Sequence, residues 1–193
     1  MYEAVLSWLH PLAWFAFLLY WTVSALGTKR AARAEPLWLR LGAYWLPLAL
    51  AIVLLGPGEW FGDSLLQERF IPKSLWFKTL GLLLTIAGIA LACRARQLLG
   101  RNWSSEVQIK QDHELIQAGP YRYVRHPIYS GLLLAILGTA IKVGDWRGLL
   151  ALAIVTASFW FKLRHEERWL REQFGEPYAA YQRRTSALIP GLL

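Results

Sequence analysis

The chain has 193 residues, of which 55% are hydrophobic and 18% charged, against about 45–50% and 25% in soluble globular domains, so a water-soluble domain of this size could not hide its apolar surface. The net charge is +8, with 11 Trp and a single Cys, Cys93, which excludes an intrachain disulfide and any Cys-only metal cluster. Basic charge beside apolar, Trp-rich segments points to a membrane protein oriented by its Lys and Arg, with no nucleic-acid partner.

The first apolar stretch runs from Ser7 to about Gly27, with no charge and only His10 as a titratable group. It follows Met1-Tyr2-Glu3 and carries three Trp, unlike a cleaved secretory signal, and reads as a span. The second runs from about Leu41 to Leu55 and is closed by Gly56-Pro57-Gly58. The third runs from about Leu75 to Cys93, with Lys78 near enough to its start to snorkel. A polar connector, 94–127, follows. Two segments of about 16 residues, Ile128 to Val143 and Gly148 to Leu163, are joined by Gly144-Asp145-Trp146-Arg147 and read as a helical hairpin. Phe161, Arg164, Arg168 and Arg171 continue the last span at helical spacing up to the stop signals Gly175 and Pro177, and a short helix from about Tyr178 to Arg184 ends the pattern.

Five crossings place 16 of the 21 basic residues on one side, which makes that side cytoplasmic and puts the N-terminus outside. The expectation is therefore an all-α, polytopic integral membrane protein of about five transmembrane helices, in a cell's inner membrane, with the C-terminus and active site cytoplasmic. It divides into three N-terminal spans, 1–93, and a core, 94–193, made of connector, hairpin and C-terminal helices.

The polar residues collect in the connector and the tail, so a site built from both lies at the cytoplasmic face. Pro127 turns His126 away from the α region and suits the first turn of a helix. Arg125 and His126 then flank a helix N-terminus, where they either bind an anion or anchor the span in headgroups. In the tail, Lys162 and Glu166 share a helix face, while Glu167 is in reach of Arg171. These charges either form a salt-bridged interfacial helix or hold hydroxyl groups or a cation. The four His, at 10, 113, 126 and 165, have no metal-ligand spacing. No GxSxG, GxGxxG or P-loop is present. Gly131 and Gly138 either pack helices or leave room for a lipid chain.

Gly119-Pro120-Tyr121 and Arg125-His126-Pro127-x-Tyr129-x-Gly131, followed after one hairpin by Glu166-Glu167, Phe174-Gly175, Tyr178, Tyr181 and Ile189-Pro190, resemble the isoprenylcysteine carboxyl methyltransferase family. That family belongs to a wider group of integral-membrane methyltransferases which includes phospholipid N-methyltransferases. The resemblance covers about residues 98–191. It implies methyl transfer from S-adenosylmethionine, with S-adenosylhomocysteine as product, to a lipophilic small molecule or lipid drawn from the membrane. The cofactor contacts it implies are Gln108, His113, Glu114, Leu115, Ile116, Tyr121, His126, Pro127, Ile128, Tyr129 and Glu166; Arg125, as positive charge at a helix start for a carboxylate, and Glu167, next to Glu166, are expected with them. At the reacting centre it implies Tyr129, with Lys162 standing at the family's substrate-contacting Arg position and Arg164 close by. Replacing a planar, bidentate Arg by Lys at that position weakens the case for a carboxylate acceptor and keeps a phospholipid amine in view. A sterol-reductase-like protein binding NADPH shares a similar His-Pro-x-Tyr-x-Gly signature and is the alternative from another class.

Overall fold

In hydrocarbon a backbone must satisfy its own polar groups, and a long uncharged segment does so as a helix. The computed structural model describes residues 2–26, 31–100, 103, 108–110 and 115–192, with the side chains of 2–5, 31–34 and 108–110 left aside. The elements are α1 (Tyr2–Ala25), β1 (Ala31–Ala34), α2 (Leu37–Arg40), a π-helical turn (Leu41–Trp45), α3 (Leu46–Leu55), α4 (Leu75–Leu99), β2 (Gln108–Lys110), α5 (Pro127–Val143), α6 (Trp146–Phe174) and α7 (Glu176–Arg184). Short 3-10 turns lie at Gly58–Phe61, Leu65–Gln67 and Gly119–Arg122. Four stretches, Leu6–Ala25, Leu37–Leu55, Leu75–Leu99 and Trp146–Phe174, are long and apolar enough to cross a membrane, and α5 is a shorter apolar helix of 17 residues. Their outward faces carry exposed Trp8, Phe15, Ile52, Trp76 and Leu83, the surface of a multi-pass membrane protein.

Two boundaries and one pairing differ from what the sequence suggests. The second apolar helix starts at Leu37 rather than Leu41, because α2 runs without a break through the π-helical turn into α3. α4 continues past Cys93 to Leu99. It carries Arg96 inward, where the two terminal nitrogens of the guanidinium donate to the carbonyls of Gly100 (2.8 Å) and Ser24 and the group lies 4.3 Å from the centre of the Trp103 ring. The third difference is a two-stranded antiparallel ladder inside an otherwise helical chain, pairing β1 with β2 in the register Ala31 to Lys110 and Ala34 to Gln108. It zips the link between the first two apolar helices onto the polar connector.

α5 is laid against α4 by backbone contact. A Cβ added at Gly131 would stand 2.6 Å from the carbonyl oxygen of Gly88, and one at Gly138 would stand 2.5 Å from that of Gly81. Between these crossings Thr85 donates its hydroxyl to the carbonyls of Gly81 (2.8 Å) and Ala135 (3.2 Å). The two glycines of α5 therefore pack helices; neither is a portal for a lipid chain. Gly131→Leu forces backbones apart and should cost at least about 1–3 kcal/mol, seen as a lower Tm in detergent; an unchanged Tm would contradict the contact.

At the far end from the connector, Arg147 donates to the carbonyls of Leu54 (2.8 Å) and Gly56 (2.5 Å) and to Asp145 (3.2 Å). Arg69 reaches Asp145 (3.0 Å) and Val143 O (2.9 Å). Two charges that look costly near an apolar helix end are thus spent on carbonyls that a helix C-terminus leaves unpaired. The opposite end packs Trp103, Tyr121, Ile128, Tyr129, Phe159, Leu163 and Leu188 into one buried cluster.

Candidate functional site

Pro127 occupies the first turn of α5, and His126 before it has the non-helical backbone of an N-cap (φ −122°, ψ 58°). This aims the His126 ring at α6, where Glu166 and Glu167 follow each other on the extension beyond the apolar run. His126 Nδ1 lies 3.4 Å from Glu166 Oε2, and its Nε2 lies 3.2 Å from Glu167 Oε1. The ring stacks on Tyr129, centroids 5.5 Å apart and 10° from parallel. The Tyr129 hydroxyl donates to Glu166 Oε1 at 2.6 Å. One imidazole thus bridges two carboxylates, and one of those carboxylates also accepts from a tyrosine one helical turn along.

Lys162, one turn before Glu166, is buried, with its ammonium 5.1 Å from the centre of the Tyr44 ring and 5.6 Å from that of Tyr129. Burial disfavours the charged form of His126, but hydrogen bonds and negative charge from Glu166 and Glu167 outweigh it and raise its pKa above the usual histidine value. A raised folded-state pKa means that the ion pairs of His126 stabilise fully below the unfolded value of about 6.5 and lose that contribution as pH rises through the folded value. The Tm advantage of the parent over His126→Gln should therefore be largest at about pH 6 and shrink by about pH 9; a constant difference would mean that the ring is neutral throughout.

Glu167 does not pair with Arg171, as helical spacing suggests. Its Oε1 accepts from Arg125 Nε at 2.6 Å and its Oε2 from Gln182 at 3.0 Å, while Arg171 is engaged with Gln182 Oε1. Arg125 also donates to the carbonyls of Gln182 (3.3 Å) and Thr185. Through these bonds its guanidinium holds α7 beside the start of α5. The tail returns along the connector, with Arg125 N donating to Ser186 O (2.9 Å), His126 N to Ala187 O (3.0 Å) and Ser130 Oγ to Leu188 O (2.6 Å). Tyr181 donates to the Tyr121 carbonyl at 2.5 Å.

The other expected residues are placed less centrally. Tyr121 is buried, and its hydroxyl donates to Ala95 O at 3.4 Å; Pro127 and Ile128 are buried in the helix start. Leu115 and Ile116 are half-buried, with Ile116 against the core cluster. Arg164 is exposed, 5.9 Å from the Trp160 ring. Two residues on from Lys162, it points about 200° away around the helix, into a shallow cleft of about 560 Å³ shared with Arg125, Glu167, Arg171 and Gln182. Gln108 contributes its backbone to β2, and His113 and Glu114 lie outside the described residues. Among the described residues no group of three or more His, Cys, Asp or Glu side chains is arranged to hold a metal ion.

Sequence reasoning missed Gln182, which caps Glu167, and the pair Glu35 and Tyr44 from the N-terminal half, where the Tyr44 hydroxyl donates to Glu35 Oε2 at 2.7 Å. The one local signal for the pair was a lone acid just ahead of an apolar run.

Residues 76–177 match the family described as phospholipid methyltransferase. The protein-S-isoprenylcysteine O-methyltransferase B of Arabidopsis thaliana is 30% identical over 60% of this chain and 60% of its own length. The protein-S-isoprenylcysteine O-methyltransferase of Schizosaccharomyces pombe is 31% identical over 77% of this chain and 67% of its own length. Among solved structures, the eukaryotic intramembrane Ras methyltransferase, an isoprenylcysteine carboxyl methyltransferase, superposes with a TM-score of 0.56 at 28% identity, covering 77% of this chain and 52% of that one. The chain spans about 60% of the length of the first of these relatives.

Proposed function

Because the chain belongs to the phospholipid methyltransferase family, we propose that it is a methyltransferase which carries a methyl group from S-adenosylmethionine to a lipophilic acceptor. The acceptor class follows the names of its isoprenylcysteine O-methyltransferase relatives, with a phospholipid amine as the other member of the same class of chemistry. The side bearing 16 of the 21 basic residues is read as cytoplasmic, and the site lies there.

The observation that carries this reading is the Tyr129–Glu166–His126 cluster, formed where connector and hairpin meet. The residues suit the cofactor. Glu166 keeps acceptor capacity beyond Tyr129 and His126, and its side chain is 21% exposed, so it can receive hydroxyl or amino hydrogens. Tyr129 is bonded to Glu166, and an aromatic face beside a carboxylate is where a sulfonium is attracted. Leu115 and Ile116 are half-buried apolar neighbours of the connector suited to an adenine. When bound, S-adenosylmethionine supplies an electrophilic methyl group on sulfur.

The chain's own part is to bind and align. His126 holds both carboxylates, Tyr129 fixes Glu166, and Lys162 presents positive charge to an acceptor head. Alignment of two reactants is worth up to about 7–11 kcal/mol, and no nucleophilic side chain is required. Gln108, His113 and Glu114 are proposed as further cofactor contacts from the connector.

Calorimetry on detergent-purified protein should show saturable binding of S-adenosylhomocysteine, and labelled methyl groups should appear on S-farnesylcysteine or on phosphatidylethanolamine. No heat at millimolar ligand, or stabilisation by NADPH in its place, would overturn the reading.

A further inference from the structure

The matched family region begins at residue 76, yet two side chains from before it reach the site. Glu35 follows β1 directly and is 5% exposed, and its Oε1 is buried without a hydrogen-bond partner while Oε2 accepts from Tyr44. A buried carboxylate costs free energy unless nearby positive charge or donors offset it. Tyr44, itself 4% exposed, sits in the π-helical turn Leu41–Trp45. Such turns shift the register of a helix and concentrate at functional positions. Here the carbonyl of Ala43, inside the turn, accepts from Ser158 Oγ of α6 at 2.7 Å. That bond fixes α6 against the turn one helical turn before Lys162.

The result is a cage with two aromatic walls. Two tyrosine rings stand close to the Lys162 ammonium, Tyr44 at 5.1 Å and Tyr129 at 5.6 Å, both within the roughly 6 Å over which a cation is attracted to a ring. Each ring donates its hydroxyl to a carboxylate, Tyr44 to Glu35 at 2.7 Å and Tyr129 to Glu166 at 2.6 Å. The half of the cage made of Tyr129 and Glu166 belongs to the site described above; the other half comes entirely from the segment ahead of the family match.

We propose that Glu35 and Tyr44 are positioning residues of the site, holding the Lys162 ammonium against the two tyrosine rings and aimed at the Tyr129–Glu166 pair. Tyr44 supplies the second wall, and Glu35 fixes Tyr44 and adds negative charge behind it. The N-terminal half thereby takes part in aligning the acceptor in addition to anchoring the protein. The role in acceptor alignment rests on the methyltransferase reading; the cage itself does not.

The test uses the full chain in detergent. Acetylation of Lys162 by acetic anhydride is read by peptide mass spectrometry against Lys73 and Lys78 of the same molecules. Glu35→Gln and Tyr44→Leu should each raise the Lys162 rate by about tenfold, the scale of one desolvated cation–π contact. Tyr44→Phe keeps the ring and should restore part of the protection, and Lys73 and Lys78 should not change. With S-farnesylcysteine as acceptor, Glu35→Gln should lower kcat by about tenfold and leave the KM for S-adenosylmethionine within about twofold. An unchanged Lys162 rate in Glu35→Gln and Tyr44→Leu overturns the cage, as does an equal rise at Lys78. A parent protein that neither binds S-adenosylhomocysteine nor transfers methyl groups overturns the proposed function, while the acetylation rates still decide whether Glu35 and Tyr44 hold Lys162.

Discussion

Glu167→Leu should destabilise the protein by about 3–5 kcal/mol, the cost of leaving one partner of a buried ion pair alone. The pair is buried on both sides, with 12% of the Arg125 side chain and 11% of the Glu167 side chain exposed. Arg125 is also the hub on which the end of α7 and the 185–188 tail are hung, through the carbonyls of Gln182 and Thr185 and the backbone bond to Ser186. The variant should therefore show a large fall in Tm and rapid trypsin cleavage after Arg183 and Arg184. Arg125→Leu combined with Glu167→Leu should recover much of the loss, because an apolar pair of similar volume avoids the unpaired charge. A double variant as unstable as the single one would show that the unpaired Arg125 charge is not the source of the loss.

Glu166→Gln should weaken S-adenosylhomocysteine binding by about ten-fold to a hundred-fold, the loss of roughly 1.5–3 kcal/mol in a charge-assisted hydrogen bond. Gln can still accept from Tyr129, so the 2.6 Å contact survives in neutral form and the fold should remain intact. The two neighbouring glutamates thus separate by readout. Glu167 variants act first on stability, through Arg125, and Glu166 variants act first on ligand affinity, measured by calorimetry. Equal affinities for the parent and Glu166→Gln would remove Glu166 from the binding residues.

The helices were legible in the residues because hydrophobic length and local stop signals are local properties. Gly144-Asp145-Trp146-Arg147 marks the hairpin turn, and Gly144 indeed closes α5 in the left-handed region at φ 72°. Gly175 closes α6 at φ 57°. Pro127 marks the start of α5 and orients His126 before any tertiary contact is considered. The order of the His-Pro-x-Tyr and Glu-Glu elements was readable for the same reason, and a short hairpin leaves few ways to arrange them other than face to face.

What the residues alone could not show is which charge meets which. Helical spacing offers Glu167 a neighbour at Arg171, but that contact is solvated and weak. A partner 42 residues away, Arg125, prevails because it is buried and adds two carbonyl acceptors. The same holds for Tyr44: a π-helical turn leaves no mark in the apolar pattern, yet its register determines that this ring rather than a neighbour faces Lys162. The pairing of β1 with β2 was equally hidden, since a few backbone hydrogen bonds between short irregular segments carry no periodic signal. Hydrophobic length specifies that the chain enters the membrane and where it turns back. The choice of partners for its few buried charges is a competition among desolvation costs, and only the packed arrangement of the helices decides it.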